Sequence, residues 1–407
     1  MNECKMILPR SVFGRIRQGI LHGGLPAESV VSSRRFSSIS ELHNWCNKPP
    51  VILPNICRVG NSTQKGLLSK WLNRQICFSM SQVHPVSFAH SKQGLHEDLT
   101  GIYEEIRSLL RTDIYKLDQM CHYYFDGKGK AIRPLIVFWT SRACNYHNVG
   151  RSFVSNEQKK VALISEMIHI GSLIHDDVVD TSDIRRGKSS VNSMCGDRNA
   201  VMAGNFVVSN ASCLLSTIDD TEVTSIISHI IGDLVRGELM QQDNQGHFEH
   251  YLKKTYKKTA SLIANCCKAA AHLSNSDAPV IEAMYQFGKN IGIAFQLVDD
   301  MLDFVSTAEN LGKPSAADLK LGLATAPVLF ACEKFPELHS MILRRFQKPG
   351  DVEFALNAVH NSDCLNETRI LAKQYCDYAV NHLNKIMPSV ERESLADLTQ
   401  HILHRTR

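Results

Sequence analysis

Residues 161–180 read VALISEMIHIGSLIHDDVVD. Val161, Ile164, Met167, Ile168, Leu173 and Ile174 recur at the three- and four-residue spacing of one helix face, and the apolar run ends in acids. Asp176 and Asp180 stand four apart, so they project from the same face one turn apart. Two such charges at about 4 Å repel by roughly 4 kcal/mol at an effective dielectric near ~20, a cost that a divalent cation removes. A solvated acidic helix end accounts for one run of this kind.

Residues 291–304, IGIAFQLVDDMLDF, repeat the arrangement: Asp299, Asp300 and Asp303 follow another apolar helix, with the spacing of Asp176, Asp177 and Asp180. Two solvated helix ends have no reason to share both pattern and approach. Two carboxylate faces on separate helices, pointing into one cavity, can hold metal ions around a diphosphate. Oxygen-only ligands suit Mg²⁺, which keeps several waters and shares itself with substrate phosphates.

Outward from these segments the helical period continues. Leu99, Ile102, Tyr103, Ile106, Leu109 and Leu110 form one apolar face, and residues 281–304 form a long apolar window. β-branched alternation is scarce, so an all-α fold is expected from about residue 91 to 407. Breaks fall at Gly127–Gly129, Gly187, Asp243–Gly246 and Gly312–Pro314.

The formal charge of +4 is unevenly distributed. Residues 1–80 hold eleven Lys/Arg and three acids, leaving 34 against 38 in residues 81–407, a balance of −4. A basic surface for nucleic acid is therefore not expected on the body of the protein. An Arg- and Ser-rich, acid-poor leader over residues 1–90 reads as a mitochondrial transit peptide. The thirteen cysteines form no C-x-x-C pair, which leaves zinc without ligands and fits buried thiols in a reducing compartment. No run of apolar residues is long enough for a membrane span.

Cations flank both acidic runs. Lys130 and Arg133 lie in Gly127-Lys128-Gly129-Lys130-Ala131-Ile132-Arg133-Pro134, where glycines let backbone approach a phosphate closely. Arg185-Arg186-Gly187 follows the first run; Lys257-Lys258-Thr259 lies between the two; Lys313 and Lys320 follow the second. Arg grips phosphate oxygens in bidentate fashion and Lys acts as a point charge. Together they fit two diphosphates, one held through metal and one directly.

The segments at 129–134, 174–180, 185–187, 258–262, 295–304 and 312–325 resemble the trans-isoprenyl diphosphate synthase family in the family's order, most closely its long-chain, decaprenyl-type catalytic subunits. The resemblance implies one isoprenoid-synthase-type helical bundle around a central cavity with two facing Asp-rich helices. It implies that Lys130, Arg133, His169 and Arg186 hold isopentenyl diphosphate. Asp176, Asp180, Asp299 and Asp303 would coordinate two or three Mg²⁺. Arg185, Lys258, Thr259, Gln296, Lys313 and Lys320 would surround the allylic diphosphate. Catalysis would fall to Asp176, Asp180, Asp299, Lys258 and Arg185, by ionisation, condensation and elimination without a protein nucleophile.

Asn205 departs from the family's usual aspartate. The growing tail is expected to run back along the first acidic helix, past Ser172, Gly171 and Ile168, where small residues leave room for a long product. The resemblance further implies a matrix enzyme that supplies the ubiquinone side chain. Its expected assembly is a homodimer or a heterotetramer with a divergent second subunit, with peripheral contact to the inner mitochondrial membrane for product release. A class I terpene cyclase would not need the second, directly held diphosphate. A non-catalytic subunit would not need both acidic runs intact.

Overall fold

The computed structural model describes residues 99, 101–127, 131–243, 246–305 and 316–405. The expected leader, Lys130 and Lys313 lie outside the described residues. The described chain is all-α apart from one short hairpin. Its elements are α1 Ile102–Leu109, α2 Tyr115–His122, α3 Ile132–Val149 and α4 Asn156–Val179. The hairpin β1 Ile184–Arg185 and β2 Lys188–Ser189 comes next. It leads to α5 Val191–Cys195, α6 Asp197–Ser216, α7 Thr221–Gln242 and α8 Phe248–Thr255. A π-helical turn, Tyr256–Ala260, joins α8 to α9 Ser261–His272, before α10 Ala278–Val305. The chain closes with α11 Ala317–Lys320, α12 Ala326–Lys334, α13 Leu338–Leu343, α14 Asp351–His360, α15 Cys364–Leu383 and α16 Val390–His404.

The apolar stripes read from the sequence become the core. Ile102, Ile106 and Leu110 of the first stripe are buried, as are Val161, Ile164, Met167, Ile168 and Ile174 of the second. No described helix is long and apolar enough to cross a membrane. Helix α4 starts at a capping box: Ser155 Oγ accepts from the Gln158 N–H, and Gln158 Oε1 accepts from the Ser155 N–H. The buried Gln158 amide also donates to the Ala270 carbonyl, 3.1 Å away near the end of α9. The start of α4 thus lies beside the end of α9, and the two helices run antiparallel.

Helix α10 packs on the other part of α9, also antiparallel. A Cβ at Gly292 would lie 2.5 Å from the Ala260 Cα, so only glycine permits this approach. Both acid-tipped helices therefore run against α9, and their C-terminal ends emerge at the same end of the bundle, next to the π-helical turn. Helix α15 packs along α10, while α16 lies across α3 and α10.

Candidate functional site

Each acidic run has a buried middle carboxylate, Asp177 in the first and Asp300 in the second. Asp177 is fully buried, receives Arg185 Nε at 2.8 Å and Nη2 at 2.5 Å, and accepts from the Tyr124 hydroxyl at 3.0 Å. Asp300 is also buried and accepts from the Tyr251 hydroxyl at 2.6 Å, the Gln296 amide at 2.8 Å and the Ala326 N–H at 3.3 Å. A buried carboxylate is tolerable only when its oxygens are satisfied in this way. The two middle aspartates brace the ends of α4 and α10.

The outer aspartates are placed differently. Asp176 has no side-chain hydrogen bond among the described residues. Burial pushes its carboxyl up to about 6; Lys258 opposes the rise, while Glu238 and Asp180 add to it. Asp299 is likewise pushed up to about 6 by burial, against the pull of Arg405 and Arg133. Its side chain still keeps 42% exposure and is ion-paired with Arg405, whose guanidinium lies 3.9 Å from the Phe295 ring centre. Asp303, expected among the metal ligands, is buried and also accepts from backbone. Its two carboxylate oxygens accept from the Ala317 and Asp318 N–H groups at 3.2 Å, which holds the start of α11.

Lys258 and Thr259 sit on the π-helical turn, where an extra residue per turn re-aims side chains that a regular helix would place elsewhere. Lys258 bonds Glu238 at 2.6 Å and Gln241 at 3.0 Å on α7. Thr259 donates to Gln296 at 2.8 Å, and Gln296 donates onward to Asp300. Gln296 stands one turn after Gly292, so the close approach of α10 to this turn makes the Thr259 contact. Lys320 is exposed at the end of α11.

The hairpin was not foreseen from the sequence. Arg186 and Gly187 adopt φ of 52° and 73°, the left-handed pair of a type I′ turn, which glycine accepts readily and arginine does not. Arg185 and Lys188 face each other across the strands, and each is neutralised by its own acid, Asp177 and Asp126. With two N–H groups committed to Asp177, Arg185 has fewer donors for a phosphate than expected. Helix α3 begins at Ile132, so Arg133 lies in its first turn and Lys130 precedes the helix. His169 is held well below its usual pKa by burial and by Arg133, Arg186 and Arg185, which favours the neutral imidazole.

These couplings join the two acidic runs. Arg133 acts on Asp299 and on His169, Arg185 acts on His169 and on Asp176, and Lys258 acts on Asp176. Lys258 also opposes the charge of Lys254, which Asp300 favours. Among the described residues no three carboxylate, imidazole or thiolate groups close on one point. Asp176, Asp180 and Asp299 supply oxygen-only donors, and the raised carboxyls of Asp176 and Asp299 reflect their burial first of all.

Sequence reasoning missed Tyr124, Tyr251, Lys254 and Arg405, which share no motif with the aspartates they serve. At Gly171, where room for the growing tail is expected, the neighbour is Val208. A Cβ there would lie 2.7 Å from Val208 Cγ2, because the missing side chain lets α4 and α6 pack closely. Ile168 is buried in the core, and Ser172 donates to the His169 carbonyl at 2.8 Å.

Helices arranged so, with paired aspartate faces at one end, characterise a known class. Residues 115–359, more than half of the chain, match the family described as Polyprenyl synthetase, and the chain belongs to that family. It is 52% identical over 312 residues to the all trans-polyprenyl-diphosphate synthase PDSS1 of Homo sapiens, covering 76% of this chain and 75% of that protein. It is 38% identical to the probable mitochondrial hexaprenyl pyrophosphate synthase of Yarrowia lipolytica, covering 76% of this chain and 84% of that one. The crystal structure of polyprenyl synthase from Caulobacter crescentus CB15, complexed with calcium and isoprenyl diphosphate, superposes with a TM-score of 0.71 at 28% identity. The match covers 78% of this chain and 97% of that one.

Proposed function

We propose that this protein is a magnesium-dependent trans-prenyltransferase that adds isopentenyl diphosphate units to an allylic diphosphate, such as farnesyl diphosphate, to make a long-chain polyprenyl diphosphate. The observation that carries the reading is the shared orientation of α4 and α10. Both run antiparallel to α9 and bring Asp176 and Asp299 into one field with Lys258 and Arg133.

Asp176, Asp180 and Asp299 would hold magnesium, which would supply positive charge for the departing diphosphate. Lys258, Thr259 and Gln296 surround the allylic diphosphate, with Lys313 and Lys320 adding charge from the segment after α10. Arg133, Arg186, His169 and Lys130 grip isopentenyl diphosphate directly. His169 enters neutral, and the arriving anion offsets the arginines that depress its pKa. No side chain needs to act as a nucleophile. The buried apolar faces of α4 and α10 keep water from the carbocation.

The product serves as the ubiquinone side chain in mitochondria, a reading supported by the leader composition and by the mitochondrial relative. Assembly as a homodimer or a heterotetramer fits the exposed Val201 and Met202 on α6 and Val235 and Leu239 on α7. The test is direct. The purified chain, alone and with a second subunit, is incubated with farnesyl diphosphate, isopentenyl diphosphate and Mg²⁺, and product mass is read. Extension of the primer by several isoprene units is expected, and no extension in either condition would overturn the proposal.

A further inference from the structure

Lys257 and Lys258 are neighbours of the same type on the π-helical turn, and α7 treats them differently. Lys257 is taken up by Asp233: its Nζ donates to Oδ1 at 2.6 Å, while Oδ2 accepts from the Ser261 hydroxyl at 2.8 Å. Lys258 is held further along α7, where its Nζ donates to Glu238 Oε2 at 2.6 Å and to Gln241 Oε1 at 3.0 Å. Glu238 and Gln241 stand three apart, so both acceptors project from one face of that helix. Gly237 brings the two elements together. A Cβ there would lie 2.7 Å from Lys258 Cγ and 2.9 Å from the Lys258 backbone N.

An ammonium carries three N–H donors on a flexible four-carbon stem. An untethered lysine samples many rotamers, and a ligand that captures it must offset the loss of that freedom. Two donors of Lys258 are engaged before any ligand arrives, and the third has no partner among the described residues. The next residue is fixed from the other side: Thr259 donates to Gln296 of α10 at 2.8 Å. A carboxylate alone neutralises a lysine without fixing its direction. The second, uncharged acceptor on Gln241 adds no charge and sets where the ammonium points.

We propose that Glu238 and Gln241 are positioning residues that pin Lys258 through two of its three N–H groups and leave the third for the allylic diphosphate. This rests on the functional reading above and deepens it. The aim of one cation of the metal-held diphosphate is set by α7, and the directly held isopentenyl diphosphate gains nothing from it. An ion pair that merely ties α7 to the π-helical turn would change stability and leave the two substrates alike.

Glu238→Leu, Glu238→Gln and Gln241→Leu are compared with the parent by steady-state kinetics, with each substrate varied in turn, and by circular dichroism melts. Calorimetric titration with farnesyl diphosphate and Mg²⁺, in the absence of isopentenyl diphosphate, reads binding without turnover. Glu238→Leu removes the acceptor. Its Kd and KM for farnesyl diphosphate should rise about tenfold, the scale of one charge-assisted hydrogen bond, with the KM for isopentenyl diphosphate within about twofold of the parent. Glu238→Gln keeps an acceptor oxygen and should recover much of the loss, ending about threefold above the parent. Gln241→Leu should also raise both farnesyl diphosphate constants about threefold. Tighter farnesyl diphosphate binding in Glu238→Leu would mean that the acid competes with the substrate for Lys258, and would overturn the proposal. Equal rises in the two KM values, or no change, would overturn it as well. Should Glu238→Leu fail to fold, the other two variants decide, and unchanged farnesyl diphosphate binding in both rejects it. An inactive parent protein would instead refute the functional reading, and this inference with it.

Discussion

Tyr251 donates a 2.6 Å hydrogen bond to Asp300, the middle carboxylate of the second acidic run. Tyr124 does the same for Asp177 in the first, at 3.0 Å. The two tyrosines come from different parts of the chain, after α2 and on α8, yet they solve one problem. Each satisfies a carboxylate buried where its neighbours must remain available.

Removing those hydroxyls should therefore act on stability. Tyr251→Phe leaves a buried carboxylate short of a donor and should cost about 1–3 kcal/mol in urea unfolding. Tyr124→Phe should cost less, because Arg185 still holds Asp177 through two N–H groups. No loss in either variant would show that the buried acids do not depend on these donors.

The middle and outer aspartates should separate cleanly on substitution. Asp176→Asn and Asp299→Asn are expected to lower kcat by about a hundredfold or more, the scale seen when one group that stabilises developing charge is lost. The melting temperature of Asp176→Asn should hold or rise, since the change relieves a buried ionised group, whereas Asp299→Asn also loses the ion pair with Arg405. Asp177→Asn and Asp300→Asn should instead lower the melting temperature markedly, because each breaks a satisfied buried network. Activity and melts on the four variants together make the comparison.

Stability should depend on pH through the outer acids. Burial pushes the carboxyls of Asp176 and Asp299 up to about 6 in the folded protein, above the ordinary value of 3.8. The folded state then binds more protons than the unfolded chain between those values. The stability they contribute is full at the acid end and is lost as pH rises through about 6. The cation-free protein should show a smaller fall in melting temperature across that range when both are changed to Asn. Because cation binding displaces these protons, Mg²⁺ should raise the melting temperature more at pH 7.5 than at pH 5.5. A magnesium effect independent of pH would contradict this.

The contact at Gly171 gives a packing prediction. Gly171→Leu must displace Val208, and overpacking of this kind costs about 1–3 kcal/mol. Adding Val208→Ala should recover most of that loss. If the product passes between α4 and α6, Gly171→Leu shortens the product and the double variant lengthens it again, as read by product mass. Shortening that Val208→Ala does not relieve would place the tail elsewhere.

The sequence by itself determined the helical class, both acidic runs and most of the cations, because those signals are local. An apolar stripe needs only the helical period, and D-D-x-x-D needs only one turn of helix. What it could not supply was the division of labour within each run. Asp176 and Asp177 are neighbours of the same type, yet one is only half-buried and the other is buried against Tyr124 and Arg185. That difference is set by which distant segments pack around the helix end. The same holds for Arg405 on Asp299, for Asp303 at the start of α11, and for Val208 in the space beside Gly171. Tertiary packing alone decided these, since burial and hydrogen-bond satisfaction depend on contacts between residues far apart in the chain.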